Sequence, residues 1–212
     1  MNTLPVLNQC FMAPVLLIFI KNPRLGAVKT RLARTVGNAE ALRIYRFLLE
    51  KTRQAALETA AARWLFYSDA LEENDDWPAA DFCKFVQTGD DLGARMANAF
   101  QRAFEAGAHR ALIIGSDCPA LSGPLLEEAF DRLNAADFVL GPTPDGGYYL
   151  LGMQAPEPSI FQGIDWSTET VREKTLEKIR AAGKTISLLP ELADIDTEDD
   201  WRRYLQSSHP SL

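Results

Sequence analysis

Val15-Leu-Leu-Ile-Phe-Ile20 is an unbroken apolar run, and Lys21-Asn-Pro-Arg-Leu-Gly-Ala-Val-Lys-Thr-Arg-Leu32 follows it at once. A strand that is apolar on both faces belongs inside a mostly parallel sheet covered by helices. Ala111-Leu-Ile-Ile-Gly115 has the same character. Trp64–Tyr67 and Phe82–Val86 are further strand candidates, the second nearer an edge because it alternates less cleanly. Between the strands lie helical patterns. Ala39–Ala60 carries Leu42, Tyr45, Leu48, Leu49 and Ala56 near the helical period, with Asn38 as its N-cap. Leu92–Ala106 repeats Met96, Phe100 and Phe104 at four-residue spacing, and Gly107 offers a C-terminal cap. Helices are also expected over Leu125–Leu133 and Thr168–Ala182. A last helix is expected from Thr197, where Thr197-Glu-Asp-Asp200 resembles a capping box. A hairpin-like stretch runs from Asp137 to Met153, and Thr185–Leu189 reads as a strand. This alternation predicts an α/β fold with an open, mostly parallel twisted sheet flanked by helices. Ligands of such sheets sit outside the carboxyl ends of the strands.

The 212 residues suit one domain, expected over 14–207, with 1–13 as a poorly ordered N-terminal extension. A formal net charge of −7 gives no electrostatic reason to bind nucleic acid, so any bound phosphate must meet a local basic cluster or a metal. The apolar stretch from Phe11 to Ile20 is broken by Pro14 and is shorter than the roughly 20 residues that span a bilayer. It has neither the basic flank nor the cleavage site of a secretion signal. The three cysteines match no zinc or redox spacing, which suits reduced thiols in the cytoplasm.

The residues after each strand carry the chemistry. Lys21, Arg24, Lys29 and Arg31 are four cations in one loop of an acidic chain, and Gly26 lets that loop turn tightly or approach a ligand. Cations and backbone N–H groups presented together cradle phosphates, although a solvated basic loop would read the same way. Asp117 follows the strand Ala111–Gly115 directly. A carboxylate there is a natural ligand for Mg²⁺ or Mn²⁺, or it caps the next turn. In Gln87-Thr-Gly-Asp-Asp-Leu-Gly-Ala-Arg-Met96, Gly89 and Gly93 would let main chain approach a flat base or ribose. Arg95 in the first helical turn answers either a bound anion or Asp90 or Asp91. In Pro144-Asp-Gly-Gly-Tyr-Tyr-Leu-Leu-Gly152, Gly146 and Gly147 would clear space for a sugar or acceptor and Asp145 would accept hydroxyl hydrogen bonds. The competing reading is an ordinary hairpin turn. In Asp194-Ile-Asp-Thr-Glu-Asp-Asp200, extended backbone would point Asp194 and Asp196 the same way, towards a metal or a ribose.

Together with Ile164-Asp-Trp-Ser-Thr168, these motifs resemble the nucleotide-diphospho-sugar transferase superfamily, with its GT-A-like fold. More narrowly, they resemble the bacterial radical-SAM-associated or arsenosugar-biosynthesis-type glycosyltransferases, related to the molybdenum-cofactor and phospholactate guanylyltransferases. Arg24-Leu-Gly-Ala-Val-Lys29 resembles the guanylyltransferase core, but Lys21-Asn22 stands where those enzymes have a double glycine. The resemblance implies that Asp117 is the metal carboxylate. Ser116 and Cys118 flank it, so a supporting ligand comes from elsewhere, with Asp196 the first candidate and Asp165 the second. It implies metal-dependent glycosyl transfer from a nucleoside-diphosphate sugar to a small-molecule acceptor, with Lys29, Lys21 and Arg31 adding charge at the leaving group. If transfer inverts the anomeric carbon, Asp145 or Asp165 would be the base that deprotonates the acceptor hydroxyl. The alternatives are nucleotidyl transfer from a nucleoside triphosphate onto a phosphorylated small molecule, and a catalytically degenerate nucleotide-binding module.

Overall fold

The computed structural model describes residues 13–208, so the extension expected over 1–13 lies almost wholly outside the described residues. The strands are β1 (Val15–Ile20), β2 (Ala62–Tyr67), β3 (Cys83–Val86), β4 (Ala111–Ile114), β5 (Phe138–Pro142), β6 (Tyr148–Met153) and β7 (Ile186–Leu188). They form one sheet in the order β3-β2-β1-β4-β6-β5-β7. All neighbours run parallel except β6, which is antiparallel to β4 and β5. The helices are α1 (Thr30–Val36), α2 (Asn38–Leu57), α3 (Leu92–Glu105), α4 (Gly123–Arg132), α5 (Val171–Ala181) and α6 (Glu198–Ser208).

β1 is buried on both faces because successive side chains point to opposite sides of a strand. Leu16, Ile18 and Ile20 join Tyr45 and Leu49 of α2 and Leu126 and Phe130 of α4. Val15 and Leu17 join Met96 and Phe100 of α3, Ile179 of α5, and Ile160 and Phe161 of a short 3₁₀ turn at Pro158–Phe161. A third cluster lies off the sheet, where Leu32, Ala41, Ile44 and Leu48 surround Ile195, with Phe47, Trp201 and Tyr204 packed on it. It ties α6 to α1 and α2.

The connectivity creates one crevice. From β1 the chain moves to β2 and β3 on one side, then returns through α3 to β4 on the other. Strand order reverses between β1 and β4, and open α/β sheets bind ligands at such a reversal. The loops after Ile20 and after Ile114 therefore face each other.

Several expected boundaries shift. Gly37 stands at the N-cap of α2 and Asn38 is its first helical residue, because Gly37 takes φ 81 in the tight turn out of α1. α1 itself is absent from the sequence reading, being only 7 residues long. α4 begins earlier than expected, at Gly123, and α5 later, at Val171. β3 is an edge strand as expected, and β7 is the other edge. The box at α6 forms: Asp200 Oδ2 accepts from Thr197 N at 2.8 Å, and Asp200 N donates to Thr197 Oγ1 at 3.3 Å. Among the described residues no helix is long and apolar enough to cross a membrane.

Candidate functional site

Lys29 holds the centre of the crevice. It precedes α1 in a left-handed conformation, φ 47 and ψ 46, which a residue with a side chain adopts rarely and at a cost. Its side chain is only 5% exposed, and its ammonium lies 2.9 Å from Asp117 Oδ1 and 3.0 Å from Asp196 Oδ1. Burial pulls the lysine pKa down, but the charges and hydrogen bonds of Asp117 and Asp196 outweigh it and hold the pKa above the ordinary value. Arg31, largely exposed, adds a longer contact of 3.8 Å to Asp196 Oδ2.

Asp196 reaches Lys29 because its segment is pinned. Ile195 N donates to the carbonyl of Asp117 at 2.9 Å, and the buried Ile195 side chain anchors in the third cluster. Asp200 Oδ2 also accepts from Asp196 N at 3.2 Å. Asp194, on the other side of Ile195, is pushed up to about 7, first by burial and then by the charge of Asp117, with Lys29 opposing and Asp145 and Asp196 adding.

The loop after β1 is held from beneath. Lys21 N donates to the buried Tyr45 hydroxyl at 2.9 Å, and that hydroxyl lies 3.1 Å from Lys21 O and 3.2 Å from Ser116 Oγ. One oxygen thus ties the β1 loop to the turn carrying Asp117. Asn22, buried, donates to Ala70 O at 2.9 Å and Glu72 Oε1 at 3.0 Å, latching the loop after β2. Arg24 turns the same way, 3.7 Å from Glu72, so it does not join Lys29 and Arg31 at the carboxylates. Gly26 makes the turn at φ 78. A cavity of about 300 Å³ lined by Arg24, Arg46, Arg53, Tyr67 and Trp77 opens behind this loop beside α2, away from Lys29 and Asp117.

The segment Gln87–Met96 is occupied by the protein itself. Gln87 Nε2 donates to Ile20 O at 3.2 Å and Phe66 O at 3.1 Å, clamping the ends of β1 and β2. Arg95 forms no ion pair with Asp90 or Asp91; its Nε donates to Gly89 O at 3.1 Å. The space beside Gly93 holds the Trp166 indole, where an added Cβ would fall 2.6 Å from the ring, so the missing side chain makes room for Trp166. At Gly89 an added Cβ would meet the backbone of Ala94 and Arg95 at 2.8 Å. At Gly146, with φ 87, the side a Cβ would take is filled by Glu169, whose carbonyl oxygen lies 1.9 Å from an ideal Cβ. Asp145 Oδ1 accepts from Thr143 Oγ1 at 2.6 Å and from Gly147 N at 3.1 Å, shaping its own turn. Asp165, 78% exposed, pairs with Lys174 at 2.6 Å, and that hydrogen bond holds its carboxyl below the usual range. Asp165 and Asp145 show no contact with Lys29.

The structure therefore gathers Lys29, Arg31, Asp117, Asp194 and Asp196. Tyr45, Asn22 and Ile195 support them and escaped the sequence reading, since a buried Tyr or Ile at helical or strand spacing looks like any core residue. Among the described residues no three His, Cys, Asp or Glu side chains are grouped to hold a metal. Two part-exposed carboxylates on one ammonium fit a different arrangement. Mg²⁺ and its relatives are commonly held by one or two carboxylates plus substrate phosphates. Asp117 and Asp196 suit such a shared ion.

The chain is similar to a phosphoenolpyruvate guanylyltransferase of Chloroflexus aggregans (strain MD-66 / DSM 9485), 27% identical over 209 residues that cover 92% of this chain and 98% of that protein. Its fold matches a solved structure from Desulfovibrio desulfuricans G20, described as a candidate nucleotide-diphospho-sugar transferase. The TM-score is 0.88 and the identity 33%, covering 95% of this chain and 90% of the other. The manganese complex of Rv0371c from Mycobacterium tuberculosis H37Rv shares the fold alone, with TM-score 0.54 and 14% identity over 92% of this chain and 99% of that one. These likenesses support the nucleotide-diphospho-sugar transferase superfamily. Residues 51–168 match the model of the family described as "Uncharacterized protein conserved in bacteria (DUF2064)", and the chain belongs to that family.

Proposed function

We propose that this protein is a metal-dependent nucleotidyltransferase that moves a nucleoside monophosphate from a nucleoside triphosphate onto a phosphorylated small molecule, releasing pyrophosphate. The observation that carries it is the Lys29 ammonium between Asp117 and Asp196 at the reversal of strand order. Lys29 and Arg31 bring positive charge to that point, which suits a strongly anionic triphosphate. Bound Mg²⁺ or Mn²⁺, held by Asp117 and Asp196 together with the phosphates, would neutralise charge on the leaving pyrophosphate. Lys29 then holds the phosphate chain in line with the acceptor, and Tyr45 keeps the loops carrying Lys21 and Asp117 in register. Phosphoryl-group chemistry of this kind depends on positioning and charge.

The chemistry of the acceptor favours nucleotidyl transfer over the glycosyl transfer implied by the resemblance. Inverting transfer to a hydroxyl acceptor needs a base, and both expected bases already have partners: Asp145 within its turn and Asp165 with Lys174. A phosphate acceptor is already ionised and needs none. The guanylyltransferase relative, matched over nearly its whole length, supports the same reading.

Glycosyl transfer from a nucleoside-diphosphate sugar is the second reading. Asp194 favours it, since a carboxyl pushed up to about 7 beside Asp117 suits a general base. The 33%-identical structure points the same way. One assay separates the two. The protein with Mn²⁺ is given each nucleoside triphosphate with phosphorylated acceptors, phosphoenolpyruvate first, and separately a panel of nucleoside-diphosphate sugars. Pyrophosphate release that disappears in Asp117→Ala supports nucleotidyl transfer. Turnover of the sugars alone, with nucleoside diphosphate released, rejects it. Turnover of neither supports a nucleotide-binding module.

A further inference from the structure

The Asp117–Asp196 pair already holds a cation of the protein's own. Lys29 places its ammonium 2.9 Å and 3.0 Å from the two carboxylates. It does so from a backbone whose left-handed φ of 47 is held between buried Val28 and the start of α1. The lysine side chain is 5% exposed, whereas Asp117 and Asp196 are 45% and 40% exposed, so the carboxylates are open on the side away from Lys29. An ammonium has three protons, and two of them serve these carboxylates.

We infer that Lys29 is an internal counter-cation that makes metal binding conditional on phosphate. A divalent ion arriving alone must share the two carboxylates with a buried ammonium, and like charges a few ångströms apart repel, the more so because the ammonium is shielded from water. The lysine gains no new partner in that exchange. A phosphate chain changes the balance, because its oxygens accept the Lys29 protons and complete the shell of the ion. The lysine root stays fixed while its flexible four-carbon stem re-aims the ammonium. Metal and phosphate therefore enter together, and free metal leaves the site closed. This rests on the proposed phosphate-and-metal role of the site and is independent of which group is transferred.

The test uses MnCl₂ and inorganic pyrophosphate, with no nucleotide and no turnover. Binding is followed as the Mn²⁺ retained with the protein in equilibrium dialysis, referred to the free Mn²⁺ measured by paramagnetic resonance, so that the soluble manganese–pyrophosphate complex is not counted as binding. Without pyrophosphate, the full chain is expected to bind Mn²⁺ at least ~10-fold more weakly than Lys29→Met, a coupling within the usual range between linked sites. Pyrophosphate should tighten Mn²⁺ binding at least ~10-fold in the unaltered protein and much less in Lys29→Met. Lys29→Arg, which keeps the charge, should behave as the unaltered protein does. If Lys29→Met fails to fold, Lys29→Gln, which keeps a polar group but removes the charge, takes its place with the same expectations. Equal Mn²⁺ affinity of the unaltered protein and Lys29→Met without pyrophosphate overturns the inference and leaves the proposed reaction standing. Absence of Mn²⁺ binding to either protein, with pyrophosphate present, overturns both.

Discussion

Tyr45→Phe deletes one oxygen on which two loops depend. Lys21 N donates to it at 2.9 Å, and it lies 3.1 Å from Lys21 O and 3.2 Å from Ser116 Oγ. Tyr45 is 2% exposed, so water cannot take the place of the hydroxyl without disturbing the packing. Each hydrogen bond lost costs about 1 kcal/mol net, and a buried donor left without a partner costs about 1–3 kcal/mol. Three contacts of that oxygen are lost, the part-buried one from Lys21 N among them, which puts the whole change at about 2–3 kcal/mol. In a chain of this size each kcal/mol lowers the melting temperature by about 2–4 °C, so a fall of about 4–12 °C is expected. Urea unfolding should show a lower midpoint at unchanged slope, because the surface exposed on unfolding stays the same. A double-mutant cycle with Ser116→Ala should give a coupling of about 0.5–1 kcal/mol. Affinity for Mn²⁺ with pyrophosphate should fall too, since the loops bearing Lys21 and Asp117 lose their common tie. A loss below about 0.5 kcal/mol, with zero coupling to Ser116, would refute the reasoning and leave Tyr45 as ring packing only.

Three further substitutions probe the same design. Ile195→Ala should cost about 2–5 kcal/mol as a buried large-to-small change. It should also weaken Mn²⁺–pyrophosphate binding in calorimetry, whereas Leu48→Ala in the same cluster should lose stability without that weakening; equal binding losses would argue against Ile195 as the anchor of Asp196. Gly93→Ala forces a Cβ against the Trp166 indole, so tryptophan emission should shift to the red, and the shift should vanish in a Trp166→Phe background. Persistence of the shift in that background would place the disturbance elsewhere. In metal-free buffer Asp194, pushed up to about 7 in the folded chain against an ordinary 3.8, keeps its proton longer when folded. The stability this provides is full below about pH 4 and is lost as pH rises through 7, so Asp194→Asn should flatten the pH–stability curve and exceed the unaltered protein in stability at pH 8. A stability difference identical at pH 5 and pH 8 would contradict the burial and charge assigned to Asp194.

Much of the architecture was legible because it is written in short periods. β1 and β4 declare a covered parallel sheet by being apolar at every position, and α3 declares its buried face by Met96 and Phe100 four residues apart. The capping box of α6 is likewise a local pattern, readable from Thr197 and Asp200. Turn glycines were legible as turns but not as sites. Gly93 and Gly146 look like cleared space, yet Trp166 and Glu169 fill it from more than one element away. No local pattern announces such an occupant, because packing against a glycine leaves no periodic trace in the partner.

The sequence alone determined the layered α/β fold, the basic loop after β1, and the carboxylates Asp117 and Asp196 at the ends of their segments. Only the tertiary structure decided that Lys29 joins those two carboxylates, because Lys29 and Asp196 stand 167 residues apart. Their meeting depends on Ile195 and, from α6, Trp201 and Tyr204 docking onto α1 and α2. The physical reason is one of range. Backbone periodicity is set by neighbours a few residues away, whereas the contact of an ammonium with two carboxylates is set by how separate elements pack. The left-handed turn at Lys29 belongs to the second kind, since nothing local favours it and only the surrounding packing and its two ion pairs hold it there.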